Sequence, residues 1–209
     1  MKVNLYNDPF PHIIIDDTFT EQQYKAVWNE LQFLSPKMKG PEHTHAAKDR
    51  KESPDGSTEF SFKKRGLGVF LDAFFVNLAD SDISRAYDEA FSDPKLFDEI
   101  SKQCPFFLLL KNINHGSTLV QRYNDGDEYA SHKDSCIFTM ITLLYKEPKV
   151  FSGGDFCFTE FDQTYTVPLL NNKSVIFPSA ISHKVTKVIS ESDKIEDCRF
   201  TISTFMGIK

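Results

Sequence analysis

Gln121-Arg122-Tyr123-Asn124-Asp125-Gly126-Asp127-Glu128-Tyr129-Ala130-Ser131-His132-Lys133-Asp134 reads as a strand, a glycine-bearing turn and a second strand. The second strand runs into His132-Lys133-Asp134. Residues i and i+2 of a strand point to one face, so His132 and Asp134 can reach one ion. A third ligand has to come from a distant strand. His183 supplies it, just after Ser174-Val175-Ile176-Phe177-Pro178, an apolar run that reads as strand and turn. Two imidazoles and one carboxylate can occupy one face of an Fe(II) ion and leave the opposite face open. Arg199 then opens the alternating run Arg199-Phe200-Thr201-Ile202-Ser203-Thr204-Phe205-Met206. From there its guanidinium can pair with a carboxylate of a metal-bound ligand.

Outward from this segment, the chain from residue 106 is strands and turns. Candidate strands are 106–112, 119–123, 129–134, 137–145, 155–161, 165–167, 174–177, 184–188 and 200–206. The earlier part differs. His12-Ile13-Ile14-Ile15 reads as a strand, and Thr20 opens a helix with Gln23 three residues on, a capping box. Tyr24, Val27, Trp28 and Leu31 give that helix one apolar stripe. A strand is expected over 67–75, and short helices start at Asp82 and at Asp93-Pro94. Residues 36–65 are polar, with Pro36, Gly40, Pro41, Pro54 and Gly56, and read as a long loop, either a solvated excursion or a substrate lid. His43 and His45 lie in it and are not expected to hold the iron.

Helices first and many short strands later predict a mainly β (α+β) fold, a β-sandwich supported by N-terminal helices. It is read as one domain over 1–209, with helical support and the substrate loop in 1–105 and the β core in 106–209. The chain has 209 residues, 40% of them hydrophobic and 20 of them Phe, enough for one packed core without metal or disulfide. A net charge of −6 argues against a broad nucleic-acid surface. Cys104, Cys136, Cys157 and Cys198 form no Cys-x-x-Cys pair, so buried free thiols are expected. With no signal peptide and no apolar run long enough to span a bilayer, a cytoplasmic protein without a membrane partner is expected.

The series resembles the prolyl 4-hydroxylase-like branch of the Fe(II)/2-oxoglutarate dioxygenases. It comprises Tyr123, the turn at Gly126, His132-Lys133-Asp134, Gly153-Gly154-Asp155, Phe177-Pro178, His183-Lys184-Val185 and Arg199. The resemblance covers about residues 118–207 and extends weakly to Lys64-Arg65-Gly66-Leu67-Gly68-Val69-Phe70-Leu71-Asp72. It implies a double-stranded β-helix, or jelly roll, whose open end holds Fe(II) on His132, Asp134 and His183. It implies 2-oxoglutarate as cosubstrate, O2, and ascorbate as an accessory. Arg199, helped by Thr201 and Tyr123, would hold the distal carboxylate, and Tyr129 would line the pocket. Half-buried packing is the other reading of either tyrosine.

The implied reaction hydroxylates an unactivated C–H bond, a peptidyl proline first, while 2-oxoglutarate becomes succinate and CO2. The same chemistry on a free amino acid or other small metabolite is the alternative. So is a non-enzymatic, cupin-like metal-binding jelly roll. Nucleobase demethylases of the superfamily carry a second arginine six residues after the first, where this chain has Phe205. One departure from the family pattern concerns the basic residue, usually about ten positions after the distal histidine. Arg199 is sixteen after and Lys194 eleven after. Arg199 is preferred, because Lys194 falls in the polar stretch 190–197, an enlarged turn.

Overall fold

Alternation decides which way each strand faces, and in this chain it sorts large apolar residues to both sides of one sheet. The computed structural model describes residues 1–52 and 57–209. Strands β1 (Lys2–Tyr6) and β2 (His12–Asp16) lead into helix α1 (Glu21–Leu34). Strands β3 (Lys48–Glu52), β4 (Thr58–Phe62) and β5 (Leu67–Phe70) come next. Helices α2 (Leu71–Phe74), α3 (Asp82–Ala90) and α4 (Pro94–Gln103) follow. The rest is strands: β6 (His115–Tyr123), β7 (Tyr129–His132), β8 (Phe138–Leu144), β9 (Phe151–Gly153), β10 (Phe156–Glu160), β11 (Gln163–Thr166), β12 (Lys173–Pro178), β13 (His183–Val185), β14 (Val188–Ser190) and β15 (Arg199–Gly207).

The major sheet has the order β1-β2-β12-β8-β15-β6-β5, and a minor sheet the order β11-β10-β13-β7. Their pairings are antiparallel, and β9 and β14 form a separate ribbon. This is the two-sheet jelly roll, or double-stranded β-helix, expected from the sequence. The outer face of the major sheet meets the helices. Phe138, Met140 and Leu144 of β8 and Phe200 and Ile202 of β15 pack with Val27, Leu31 and Ile83. The alternate residues Ile141 and Leu143, with Phe177 of the adjacent β12, face the minor sheet, in one cluster with Phe156, Phe158 and Val185. β8 is buried along its whole length for this reason. On β15 the inward alternates are polar: Arg199, Thr201 and Ser203, all buried. A buried polar row inside a sandwich is expensive unless it is hydrogen-bonded or serves a ligand.

Helix α1 starts as its sequence dictates. Thr20 caps it and Gln23 closes the capping box. Helix α3 starts at Asp82, as expected, and Ser81 caps it. Three expectations are corrected. Residues 106–112 form two turns of 3-10 helix, Pro105–Phe107 and Leu110–Asn112, instead of a strand. Their buried residues, Phe107 and Leu110, are three apart, the period of a 3-10 turn. Residues 67–75 stay extended only to Phe70.

The polar segment 36–65 holds the antiparallel hairpin β3–β4 and is not a plain loop; Pro54 and Gly56 lie outside the described residues. The N-terminal third supplies β1, β2 and β5 to the major sheet as well as helices.

Gly153 pairs with Val188 where β9 meets β14. Its φ is +64°, and a Cβ there would lie 2.0 Å from the carbonyl oxygen of Lys187. Gly153→Ala is expected to cost more than the ~1–3 kcal/mol of left-handed strain alone, because the ribbon must also part. Urea-denaturation midpoints measure this. A loss under about 1 kcal/mol would mean that the ribbon yields freely.

Candidate active site

β7 and β13 pair so that His132 lies opposite His183. Asp134 follows two residues beyond His132, and its N–H donates to the Ser179 carbonyl at 3.1 Å, which fixes the turn. The ligand atoms of His132, Asp134 and His183 lie within 4.8 Å of one another. His132 Nε2 is 3.6 Å from Asp134 Oδ1, and His183 Nε2 is 3.5 Å from Oδ2.

The second ring nitrogens explain this orientation. His132 Nδ1 donates to the Ala130 carbonyl at 2.9 Å, and His183 Nδ1 to the Ile181 carbonyl at 3.0 Å. A carbonyl only accepts, so Nδ1 carries the hydrogen and the Nε2 lone pair is free. Thr139 Oγ1 donates to Asp134 Oδ2 at 2.6 Å and also contacts Ser179 Oγ at 2.9 Å. Outer hydrogen bonds of this kind orient metal ligands and tune their basicity.

Both histidines are buried. Burial, reinforced by the neighbouring His183, lowers the pKa of His132 to about 3. Burial also lowers that of His183, while Asp134 opposes the shift. At neutral pH both rings are therefore neutral, the form that binds a metal. The sign of the linkage follows. Between pH 6.5 and 3 the unfolded chain takes up protons at His132 that the folded chain refuses. Metal-free protein is therefore expected to lose stability as pH falls from 7 to 4, and His132→Asn to lose less. Urea midpoints in chelator at several pH values test this; parallel profiles for the two proteins would refute it.

The triad lies on one wall of a cavity of about 350 Å³ that Tyr123, Tyr129, Gln121, Thr201, Ser203 and Lys64 also line. The Tyr129 ring stacks on His132 with centroids 3.6 Å apart, and its hydroxyl accepts from Ala47 N–H at 3.0 Å. Gln121 Oε1 accepts from Thr201 at 3.3 Å and Ser203 at 3.1 Å. Arg199 is 0% exposed and is not among the lining residues. Its guanidinium carbon sits 4.9 Å from the centre of the Tyr123 ring, which does line the cavity, and Nε donates to the Gly154 carbonyl at 2.6 Å. Nη1 and Nη2 are buried without a partner among the described residues.

Burial lowers the Arg199 pKa only to about 10, so it stays charged. Gly154 permits this packing: a Cβ there would lie 2.6 Å from Arg199 Cδ. Lys194, the rival cation, is exposed. His45 borders the cavity, but neither it nor His43 belongs to the ligand group.

Three residues of this site had no sequence signal: Thr139, Ser179 and Lys64. The two hydroxyls become visible only once Asp134 is placed in space.

Residues 118–207 match the sequence model of the 2OG-Fe(II) oxygenase superfamily. The chain is 30% identical over 104 residues to an uncharacterised PKHD-type hydroxylase of Synechocystis sp., which is 42% of this chain and 34% of that protein. It spans about a third of the length of the curated relatives it matches. Its fold is similar to a crystal structure of a Pseudomonas putida prolyl-4-hydroxylase, with a TM-score of 0.57 over 95% of this chain and 92% of the other, at 11% identity. A Trichoplax adhaerens prolyl hydroxylase, solved with a hypoxia inducible factor oxygen degradation domain peptide, gives 0.56 over 94% and 83%, also at 11% identity.

Proposed function

We propose, from the match of residues 118–207 to the 2OG-Fe(II) oxygenase superfamily and from a fold similar to that of a prolyl-4-hydroxylase, that this chain is an oxygenase of that kind and hydroxylates a peptidyl proline. The observation that carries the enzymatic reading is the pairing of a ready ligand triad with a buried, unsatisfied guanidinium on a strand of the other sheet. A binding module without a cosubstrate would have no use for Nη1 and Nη2 left bare at this depth.

His132, Asp134 and His183 would hold the iron. Arg199, Tyr123 and Thr201 would serve the distal carboxylate of 2-oxoglutarate. Bound iron and 2-oxoglutarate would supply the oxidising chemistry, with O2 as oxidant and succinate and CO2 as products. The chain's own part is positional. The Ala130 and Ile181 carbonyls keep both Nε2 atoms aimed at one point. Thr139 holds the carboxylate. Phe156 and Phe177 pack around His183 and keep water from that side. Tyr129, with its hydroxyl engaged by Ala47, steadies His132 more than it addresses the cosubstrate.

The peptide part of the reading is supported by the hairpin β3–β4. Its base is joined to β7 by Ala130 N–H to the Lys63 carbonyl and by Lys63 Nζ to the Ser131 carbonyl. The hairpin so stands beside the cavity, where a lid over an extended chain belongs. The Trichoplax enzyme was solved with a peptide. The size of the cavity favours a second reading, a free amino acid or similar metabolite. No helix among the described residues is long and apolar enough to cross a membrane. We place the protein in the cytoplasm, where its four free cysteines would stay reduced.

The test is Fe(II)-dependent conversion of 2-oxoglutarate to succinate, with ascorbate present, against a panel of proline peptides and free amino acids. Gain of one oxygen by a proline peptide is expected. Turnover stimulated by an amino acid and by no peptide would select the metabolite reading. Absence of Fe(II)-dependent succinate would remove the enzymatic one.

A further inference from the structure

Lys64 is buried to 1% exposure between β4 and β5, and its ammonium has one hydrogen-bond partner, Thr44 Oγ1 at 3.2 Å. Among the described residues no carboxylate lies within ion-pair distance of it. The nearest field of opposite sign is that of Asp127, whose carboxylate is occupied by Asn124. Its neighbours behave otherwise: Lys63 pairs with Asp49, and Arg65 is exposed. Of Lys63-Lys64-Arg65 it is the middle cation, joined to Tyr129 by an isolated antiparallel bridge, that is turned fully inward onto the cavity wall.

The local backbone is shaped to hold it there. A Cβ on Gly68 would come within 3.2 Å of Thr44 Cγ2 and 3.1 Å of the Val120 carbonyl oxygen. The missing side chain lets Thr44 approach β5 and β6 and reach Lys64 Nζ. The sheet order then matters. β6 lies between β15 and β5, so Tyr123 and Gln121 of β6 are flanked on one side by Arg199 and on the other by the segment Lys64–Gly68. A Cβ on Gly66 would meet the Tyr123 ring at 3.4 Å, so only a glycine lets this segment run so close to the ring on which the Arg199 guanidinium sits. Gln121, Tyr123, Thr201 and Ser203 make a hydrogen-bonded polar floor between the two cations. A buried lysine without a counter-ion is costly, and the cost is relieved by an anion arriving from the cavity.

We infer that Lys64 is a second cation for the distal carboxylate of the keto-acid cosubstrate, reaching it from outside the 118–207 domain and from the side opposite Arg199. This rests on the 2-oxoglutarate reading above. It makes the polar N-terminal segment part of cosubstrate binding as well as of substrate access.

The experiment uses the full chain loaded with Mn(II) under anaerobic conditions and titrated calorimetrically with two probes. These are 2-oxoglutarate and 2-oxobutyrate, which keeps the chelating end and lacks the distal carboxylate. Lys64→Met should weaken 2-oxoglutarate at least tenfold and leave 2-oxobutyrate within twofold. Without ligand, at pH 6, below the value of about 7 to which burial lowers the Lys64 pKa, its melting temperature should rise, because an uncompensated buried charge has gone; a lysine with a structural role would give a fall. Lys64→Gln, which can still bond Thr44, covers the case in which Lys64→Met does not fold, and should lose 2-oxoglutarate in the same way. Unchanged 2-oxoglutarate affinity, or equal loss of both keto acids, overturns the assignment of Lys64. Failure of the wild-type protein to bind either keto acid would instead overturn the cosubstrate reading itself.

Discussion

Asp134→Ala is expected to abolish metal binding at micromolar metal and, with it, all succinate formation. The carboxylate is the one anion in the triad, and the two histidines beside it are neutral at pH 7 because burial holds their pKa values down. Without Asp134 a dication would have to enter a buried site with no charge to offset it. Breaking a buried ion pair costs about 3–5 kcal/mol, or two to four powers of ten in affinity. Thr139→Val is a graded companion. It removes only the hydroxyl that donates to Asp134 Oδ2, so a loss of ~10–100-fold is expected. Mn(II) titration followed by electron paramagnetic resonance reads both. Asp134→Ala with affinity within a few-fold of wild type would sink the assignment of the triad.

Arg199→Met should leave that metal titration unchanged and weaken 2-oxoglutarate by about two orders of magnitude or more. Nη1 and Nη2 have no partner among the described residues, so little of the folded structure depends on them. Methionine keeps part of the packing against Tyr123 and beneath Gly154. Lys194→Ala is the control, since that side chain is exposed in the turn before β15. A large effect of Lys194→Ala and none of Arg199→Met would mean that the wrong cation had been chosen across residues 190–197. Because Arg199 does not line the cavity, a small loss from Arg199→Met together with a large one from Lys64→Met would shift the carboxylate toward β5.

The elements of the site that could be read from the chain are those whose signal is local. His132 and Asp134 are two apart, the spacing that puts two side chains on one side of an extended chain; the strand itself ends at His132 and Asp134 keeps that side in the turn beyond it. Arg199 leads an alternating run whose apolar members, Phe200 and Ile202, face the helices, so the arginine has to face inward. The capping box at Thr20 and Gln23 likewise needs four residues and nothing else.

What could not be read depends on partners far away in sequence. Residues 106–112 look like a strand in composition, yet Phe107 and Leu110 are buried while Phe106, Leu108 and Leu109 are exposed, a pattern that only packing decides. The segment 36–65 is as polar as a loop, and its hairpin is nearly all exposed, so no hydrophobic period marks it. Lys64 is hidden for a third reason. A run of three basic residues reads as solvated charge, and only the bridge between Lys64 and Tyr129 shows which of the three turns inward.

Tyr129 ties two distant things together. Its ring lies flat on His132, and its hydroxyl is held by the backbone at Ala47, at the foot of the hairpin. The hairpin and His132 thus share one stiff aromatic lever. A displacement at the hairpin's base is expected to change the angle at which the imidazole would meet an ion. The visible absorption of Co(II) in the site depends on that angle, so it becomes a gauge of the hairpin's position, readable in solution with no label attached to the protein.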